Sequence, residues 1–171
     1  MAEVGIGLGA NLGDRCNAIA GALTALGATD GVEILAVSSV YATPPWGVVE
    51  QPEFLNACAL LRTSFAPHVL LARCKAIEGA LGRTPTVRWG PRAIDIDLLF
   101  YDDVMMATPD LTLPHPGLFE RLFVLAPLAE IMAGRSVAGR ALDDVVAQRA
   151  TADSERVRLD VDATAQLQSA I

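Results

Sequence analysis

Hydrophobic and polar positions along this chain change period several times, and each change marks an element. Over residues 3–8 apolar side chains recur weakly at every second position, predicting a first strand that ends in Gly9-Ala10-Asn11-Leu12-Gly13. Asp14 stands where an N-cap belongs, and Ile19, Leu23 and Leu26 share one face of a helix running to Gly27. Residues 31–41 return to period two through Val32, Ile34, Ala36 and Val40 and read as one strand. A loop with three prolines, TPPWGVVEQP over 43–52, separates it from a short apolar strand over 54–61. Pro67 suits a first helical turn, and Leu70, Cys74, Ile77 and Leu81 continue that helix as a stripe. After a loop over 82–91 comes a strand over 94–100, then a turn at Asp102-Asp103 before 104–106. Residues 117–132 have helical composition with an expected break near Pro127; a helix is expected over 142–149 and a last short strand over 157–161. Irregular alternation with hairpin-length joins predicts an α+β fold, a mostly antiparallel sheet flanked by helices. The whole chain, 1–171, reads as a single domain in which about 146–171 form a tail without an assigned role.

Composition narrows the class. With 52% hydrophobic residues in 171, the chain can bury a core and is not a disordered segment. No uninterrupted apolar run approaches the roughly 18 residues of a membrane span, and Glu3 interrupts any basic leader, so a cytoplasmic protein is expected. Cys16, Cys58 and Cys74 form no CxxC pair and sit among apolar neighbours, which suits free buried thiols in a reducing compartment. A net charge of −7 argues against nucleic acid or an anionic membrane as partner. Any anionic ligand must then be caught by local positive charge or by metal.

Gly5, Gly7, Gly9 and Gly13 invite a dinucleotide-loop reading, but the spacing carries one residue too many for GxGxxG. Ser38-Ser39-Val40 stands where a ribose-binding acid would close the second strand, and no GxxxxGK[ST] occurs. What remains is a close-packed strand-to-helix turn. The sharper signal is RWGPRAIDIDLLFYDD over 88–103. Asp95 and Asp97 lie two apart on a strand and face the same way, with Ile94, Ile96 and Leu98 behind them. Two like charges so placed demand a cation. A salt bridge to Arg92 or Arg88 is one answer; one or two Mg²⁺ ions, which favour carboxylates and phosphate oxygens, are the other.

The neighbourhood suits the second answer. From Arg83 to Arg92 there are three arginines and no acid, and guanidinium groups are made for phosphate oxygens. TLPHPGLFER over 112–121 adds His115, held between two prolines, and Arg121, whereas His68 reads as ordinary helix surface. In the 54–61 strand Phe54 and Asn56 share a face, and an aromatic beside an amide suits a flat heteroaromatic ligand. Trp89 and Phe123 offer further stacking surface.

These blocks carry a resemblance. RWGPRAIDIDLL over 88–99, with GLGANLGDR (7–15), SSVYATPPWG (38–47), QPEFLNA (51–57) and LPHPGLFERLFVLAPL (113–128), resembles the 6-hydroxymethyl-7,8-dihydropterin pyrophosphokinases of folate biosynthesis. The resemblance implies a ferredoxin-like α+β sandwich that transfers the diphosphoryl unit of ATP to the pterin hydroxymethyl oxygen and releases AMP. It implies Asp95 and Asp97 as ligands of two Mg²⁺, Arg83 and Arg92 as phosphate-contacting arginines, and Glu78, Thr112, His115 and Arg121 on the ATP side. It implies a pterin pocket of Thr43, Pro45, Phe54, Asn56, Trp89 and Phe123, with Trp89 and Phe123 sandwiching the ring. The partners expected are these two small molecules, handled by a monomer. Two alternatives stay open at this stage. The Asp-Ile-Asp-Leu strand also resembles that of nucleotidyltransferases, although their preceding Gly-Ser helix motif is missing, and a non-catalytic nucleotide or pterin binder would use many of the same residues.

Overall fold

The computed structural model describes residues 1–45, 50–82, 91–152 and 156–171. In chain order the elements are β1 (Ala2–Ala10), α1 (Arg15–Gly27), β2 (Val32–Val37), β3 (Tyr41–Thr43), β4 (Phe54–Thr63), α2 (Pro67–Ala80) and β5 (Asp95–Tyr101). They continue with β6 (Met106–Ala107), β7 (Thr112–Leu113), α3 (Leu122–Ile131), β8 (Ser136–Val137), β9 (Arg140–Ala141), α4 (Leu142–Ala152), β10 (Arg158–Leu159) and α5 (Val161–Ala170). Six strands form one antiparallel sheet in the order β10-β3-β4-β1-β5, with β2 also paired to β4. This is the α+β sheet flanked by helices that the pattern predicts.

β4 is the spine. One edge carries β1 from Ala2↔Thr63 to Ala10↔Leu55, and the other is shared by β3 and β2. The single strand expected over 31–41 is therefore two. Ser38 divides it: its N–H donates to the Cys58 carbonyl while its Oγ accepts the Cys58 N–H, and Ser39 turns to Glu130 on α3. Serine hydroxyls that take over backbone bonding end a regular ladder.

The sheet is covered on both faces. On one side Val4, Ile6, Leu8, Ile96 and Leu98 pack with Ile19, Leu23 and Leu26 of α1 and Leu70 and Cys74 of α2. On the other, Leu60, Leu99 and Phe100 pack with Leu125 and Leu128 of α3 and Val145 of α4. Truncating a fully buried leucine here, such as Leu23 or Leu61, costs about 2–5 kcal/mol. A bulge sets the balance between the faces: Ile6 opposes Leu98 and Gly5 opposes Phe100, so Leu99 is the extra residue on β5. It lets Asp95, Asp97 and Leu99 look one way while Phe100 stays on that side too.

Further differences from expectation include β1, α3, which begins only at Leu122, and the C-terminal residues. β1 continues through Gly9 to Ala10, because its glycines are strand residues and not the start of a turn. α3 runs unbroken through Pro127, where the contacts of Leu125, Pro127 and Leu128 outweigh one missing helix bond. The C-terminal residues are built into the body. β10 pairs with β3, and α5, capped by Asp160, buries Ala163 and Leu167 against the α1 side of the core.

Candidate functional site

The floor of the cleft is the face of β1 opposite its packed side chains. Val4, Ile6 and Leu8 point into the first core, leaving Gly5, Gly7 and Gly9 on the other face. A Cβ at Gly9 would lie 3.1 Å from Asn56 Oδ1, and one at Gly5 would collide with the Phe100 ring. Glycine at positions 5 and 9 thus serves clearance, whereas a Cβ at Gly7 would meet Leu99 at an ordinary 3.5 Å; none of the three is needed for its backbone angles. Gly7 and Gly9 line a cleft walled by Thr43, Pro44, Phe54 and Asn56 at one end and by Arg92, Asp95, Asp97 and Arg121 at the other, with Phe123 alongside.

At the first end β3 and β4 bring Thr43 opposite Phe54 and Tyr41 opposite Asn56. The buried Asn56 amide donates through Nδ2 to Thr43 Oγ1 at 2.8 Å. That bond orients the amide as a fixed polar handle beside two aromatic rings, a pairing suited to a flat, hydrogen-bonding heterocycle.

At the second end Arg92 Nη1 contacts Asp95 Oδ2 at 2.5 Å, so the salt-bridge reading holds for Asp95. Arg92 Nε is buried and has no hydrogen-bond partner among the described residues, a donor suited to an anionic oxygen. Asp97 is different. Its carboxyl is pushed up to about 6, first by desolvation and then by Asp95, against the opposing pull of Lys75, Arg92 and Arg121. Burial and the adjacent Asp95 thus disfavour charge on Asp97 more than Lys75, Arg92 and Arg121 favour it. His115 Nε2 lies 4.0 Å from Asp97 Oδ2, and its Nδ1 accepts the Gly117 N–H at 2.9 Å. Burial and Arg121 lower the His115 pKa, so the ring is neutral near pH 7 with its proton on Nε2, facing the carboxylates. Among the described residues no group of three or more His, Cys, Asp or Glu side chains could hold a metal by itself. A hard divalent cation that draws on two carboxylates and completes its shell with water and phosphate oxygens still fits this donor set and the disfavoured charge on Asp97.

Several sequence-based candidates stand elsewhere. Glu78 does not line the cleft: it is buried behind β5, where Oε1 accepts the Ile96 N–H at 2.7 Å and Lys75 Nζ lies 3.2 Å away. β5 is the sheet's edge, so an acid at that edge caps a backbone donor and locks the residue between Asp95 and Asp97. Thr112 is paired with Ala107 in the β6–β7 hairpin and does not line the cleft, and at the flat end Pro44 lines it in place of Pro45. Arg83 and Trp89, and with them Arg88, lie outside the described residues.

One organising residue escaped the sequence reading. Asn11, 1% exposed, accepts the Arg92 N–H through Oδ1 at 2.8 Å and donates through Nδ2 to Gln51 Oε1 and the Pro52 carbonyl. The Asn11 and Leu12 N–H groups both reach back to the Arg92 carbonyl. The turn after β1 thereby ties the arginine at the phosphate-suited end to the loop entering β4. A polar residue between two apolar neighbours was the available signal.

An α+β sheet covered on both faces, with an aromatic–amide pocket running into a carboxylate–arginine pocket, suits a protein that brings a flat heterocycle beside a polyanion. The model of the 7,8-dihydro-6-hydroxymethylpterin-pyrophosphokinase (HPPK) family matches residues 5–133, and the chain belongs to that family. A 2-amino-4-hydroxy-6-hydroxymethyldihydropteridine pyrophosphokinase of Methylorubrum extorquens is 44% identical over 92% of this chain and 99% of its own length. The one from Bacillus subtilis is 46% identical over 74% of this chain and 75% of its own. Among solved structures, Plasmodium falciparum HPPK-DHPS crystallised with pteroate superposes with a TM-score of 0.68 at 14% identity, over 86% of this chain. That likeness concerns the fold, and this chain spans 42% of that longer protein.

Proposed function

We propose that this cleft catalyses transfer of the diphosphoryl group of ATP to the hydroxymethyl oxygen of 6-hydroxymethyl-7,8-dihydropterin, giving the pterin diphosphate and AMP for folate biosynthesis. The carrying observation is that one continuous cleft joins the Thr43–Asn56 handle and Phe123 to Arg92, Asp95 and Asp97, in a chain of the HPPK family. Family membership and the pyrophosphokinase relatives support the reaction and ATP as co-substrate.

In this reading Asn56 and Thr43 hydrogen-bond the pterin edge, Phe123 and Trp89 hold its faces with Phe54 alongside, and the glycine strip of β1 lets the ring lie close to the sheet. The substrate hydroxyl then points toward β5. Its oxygen attacks the β-phosphorus, the bond from that phosphorus to the α,β-bridging oxygen breaks, AMP leaves with that oxygen, and the hydroxyl proton is released. Phosphoryl-type transfer asks for alignment and charge neutralisation more than covalent help. Arg92, with its unmatched Nε, and Arg121 neutralise phosphate oxygens, and His115 donates from Nε2. Asp95 and Asp97 would hold Mg²⁺, two ions in the reading favoured here, which supply charge neutralisation of the triphosphate and polarise the hydroxyl when bound. Glu78 acts by fixing Ile96 between the carboxylates. Arg83, Trp89, Thr112 and Pro45 keep the family-implied roles as proposals. The chain works as a cytoplasmic monomer in this reading, and its three free buried thiols suit a reducing compartment.

The test is AMP release from MgATP with and without the pterin alcohol. Alcohol-dependent AMP with a diphosphorylated pterin is expected. Free pyrophosphate would indicate nucleotidyl transfer, ATP binding without AMP would indicate a binder, and either would overturn the proposal.

A further inference from the structure

The geometry points to the C-terminal segment, residues 156–171, as a clamp that positions the pterin end of the cleft, with Arg158 as its positioning residue. The segment lies beyond residue 133, where the family match ends, and this inference rests on the pterin reading of the Thr43–Asn56 end.

β3 is only three residues long, yet it supplies Thr43, whose hydroxyl orients the Asn56 amide. One edge of β3 is held by β4; the other is held by β10, which pairs Arg158 with Ala42 and Leu159 with Tyr41. The grip extends one residue upstream. The Asp160 N–H donates to the Val40 carbonyl, and the Val40 N–H donates to Thr164 Oγ1, both at 2.9 Å. Without the segment, the outer edge of β3 and both backbone groups of Val40 lose these partners. A three-residue strand bonded on one side only has little to hold it in place.

The same segment reaches the second pterin-side strand. Arg158 Nη2 contacts Glu53 Oε2 at 2.6 Å, immediately before Phe54, while Arg15 Nη1 takes the Glu53 carbonyl at 2.8 Å. The clamp is itself anchored, because Ala163 and Leu167 of α5 are buried and the Asp160 carboxylate caps that helix. The bonds of the segment described above go to β3, Val40 and Glu53, all at the pterin-side end. Its influence therefore falls on Thr43, Phe54 and Asn56 and leaves the phosphate-suited end alone. The segment becomes a specificity element: it sets how firmly the flat ring is held.

Deleting α5 would expose buried core, so the test uses the Arg158–Glu53 contact. Dissociation constants for the pterin alcohol and for MgATP are measured by calorimetry, alongside AMP release, in full-length wild type, Arg158→Glu, Glu53→Arg, the double variant and Arg158→Lys. An exposed pair is worth up to about fivefold in an equilibrium constant, and reversal adds repulsion. Arg158→Glu should weaken the pterin alcohol by about three- to tenfold and leave MgATP within about twofold. The double variant and Arg158→Lys should recover most of that loss. Unchanged pterin affinity, equal losses for both ligands, or a double variant no better than the singles would each overturn the clamp. Failure of the wild type to bind the pterin alcohol at all would instead strike the underlying reading of the pocket.

Discussion

Replacing Asp97 by asparagine should make the metal-free protein more stable while stripping it of turnover. The Asp97 carboxyl sits at about 6, some two units above the ordinary 3.8, because burial and Asp95 disfavour its charge. Each unit is worth about 1.4 kcal/mol, so the undiscounted penalty on the charged form is about 3 kcal/mol. The side chain is 39% exposed, and solvent screening reduces this to about 1–2 kcal/mol. The sign follows from proton linkage. Between 3.8 and about 6 the folded protein binds more protons at this site than the unfolded chain, so stability falls as pH rises through that window and stays lower above it. Asparagine has no charge to desolvate. In EDTA at pH 7.5 the Asn variant should melt about 2–8 °C above wild type, and at pH 4 or below the gap should close. Millimolar Mg²⁺ should raise the wild type toward the variant and leave the variant unmoved, since binding stabilises only the form that binds. Thermal melts across pH, with and without Mg²⁺, measure all of this. A variant no more stable than wild type at pH 7.5, or a gap independent of pH, would refute the claim that charge on Asp97 is disfavoured in the folded protein.

Gly9→Ala adds a Cβ 3.1 Å from Asn56 Oδ1, and should weaken the pterin alcohol by about tenfold with MgATP affinity retained, read by calorimetry. Equal affinity for the alcohol would show that the floor has room to spare. Glu78→Ala deprives the buried Ile96 N–H of its acceptor and should cost about 2–3 kcal/mol in urea unfolding, while Glu78→Gln, which keeps a carbonyl, should cost less. Equal losses would place the stabilisation in the ion pair with Lys75. Cys16, Cys58 and Cys74 are buried with thiols pushed up by burial, Cys74 to about 12, so Ellman's reagent should find no reactive thiol in the native protein and three after denaturation.

What the sequence discloses and what it hides divide along the distance over which each feature is encoded. The Asp95–Asp97 pair and the Leu70–Cys74–Ile77 stripe are written in neighbouring residues, so period two and period 3.6 expose them directly. Phe54, Asn56, Arg92, Asp95, Asp97, Arg121 and Phe123, nominated by type and spacing, and Thr43, implied by the family resemblance, all line one cleft. Glu78 fell on the wrong side of that wall because a helix acid looks the same in sequence whether it faces a ligand or caps a strand edge 18 residues away. The split of the 31–41 strand is likewise invisible locally, since Ser38 acts only once Cys58 lies opposite it. α5 was missed because polar residues surround its two buried positions, Ala163 and Leu167, and two positions make no stripe. β1 is the instructive failure, because its signal was local and was misread. AEVGIGLGA alternates strictly, with Val4, Ile6 and Leu8 on one face and Gly5, Gly7 and Gly9 on the other. Treated as punctuation, the glycines ended the strand early and suggested a nucleotide loop. Treated as side chains of zero size in period two, they mark a face kept bare, with Asn56 and Phe54 waiting above Gly9 and Leu99 above Gly7. A strand that packs Val4, Ile6 and Leu8 on one face and sets Gly5, Gly7 and Gly9 in a row on the other, next to paired carboxylates, is the pattern expected of a ligand floor.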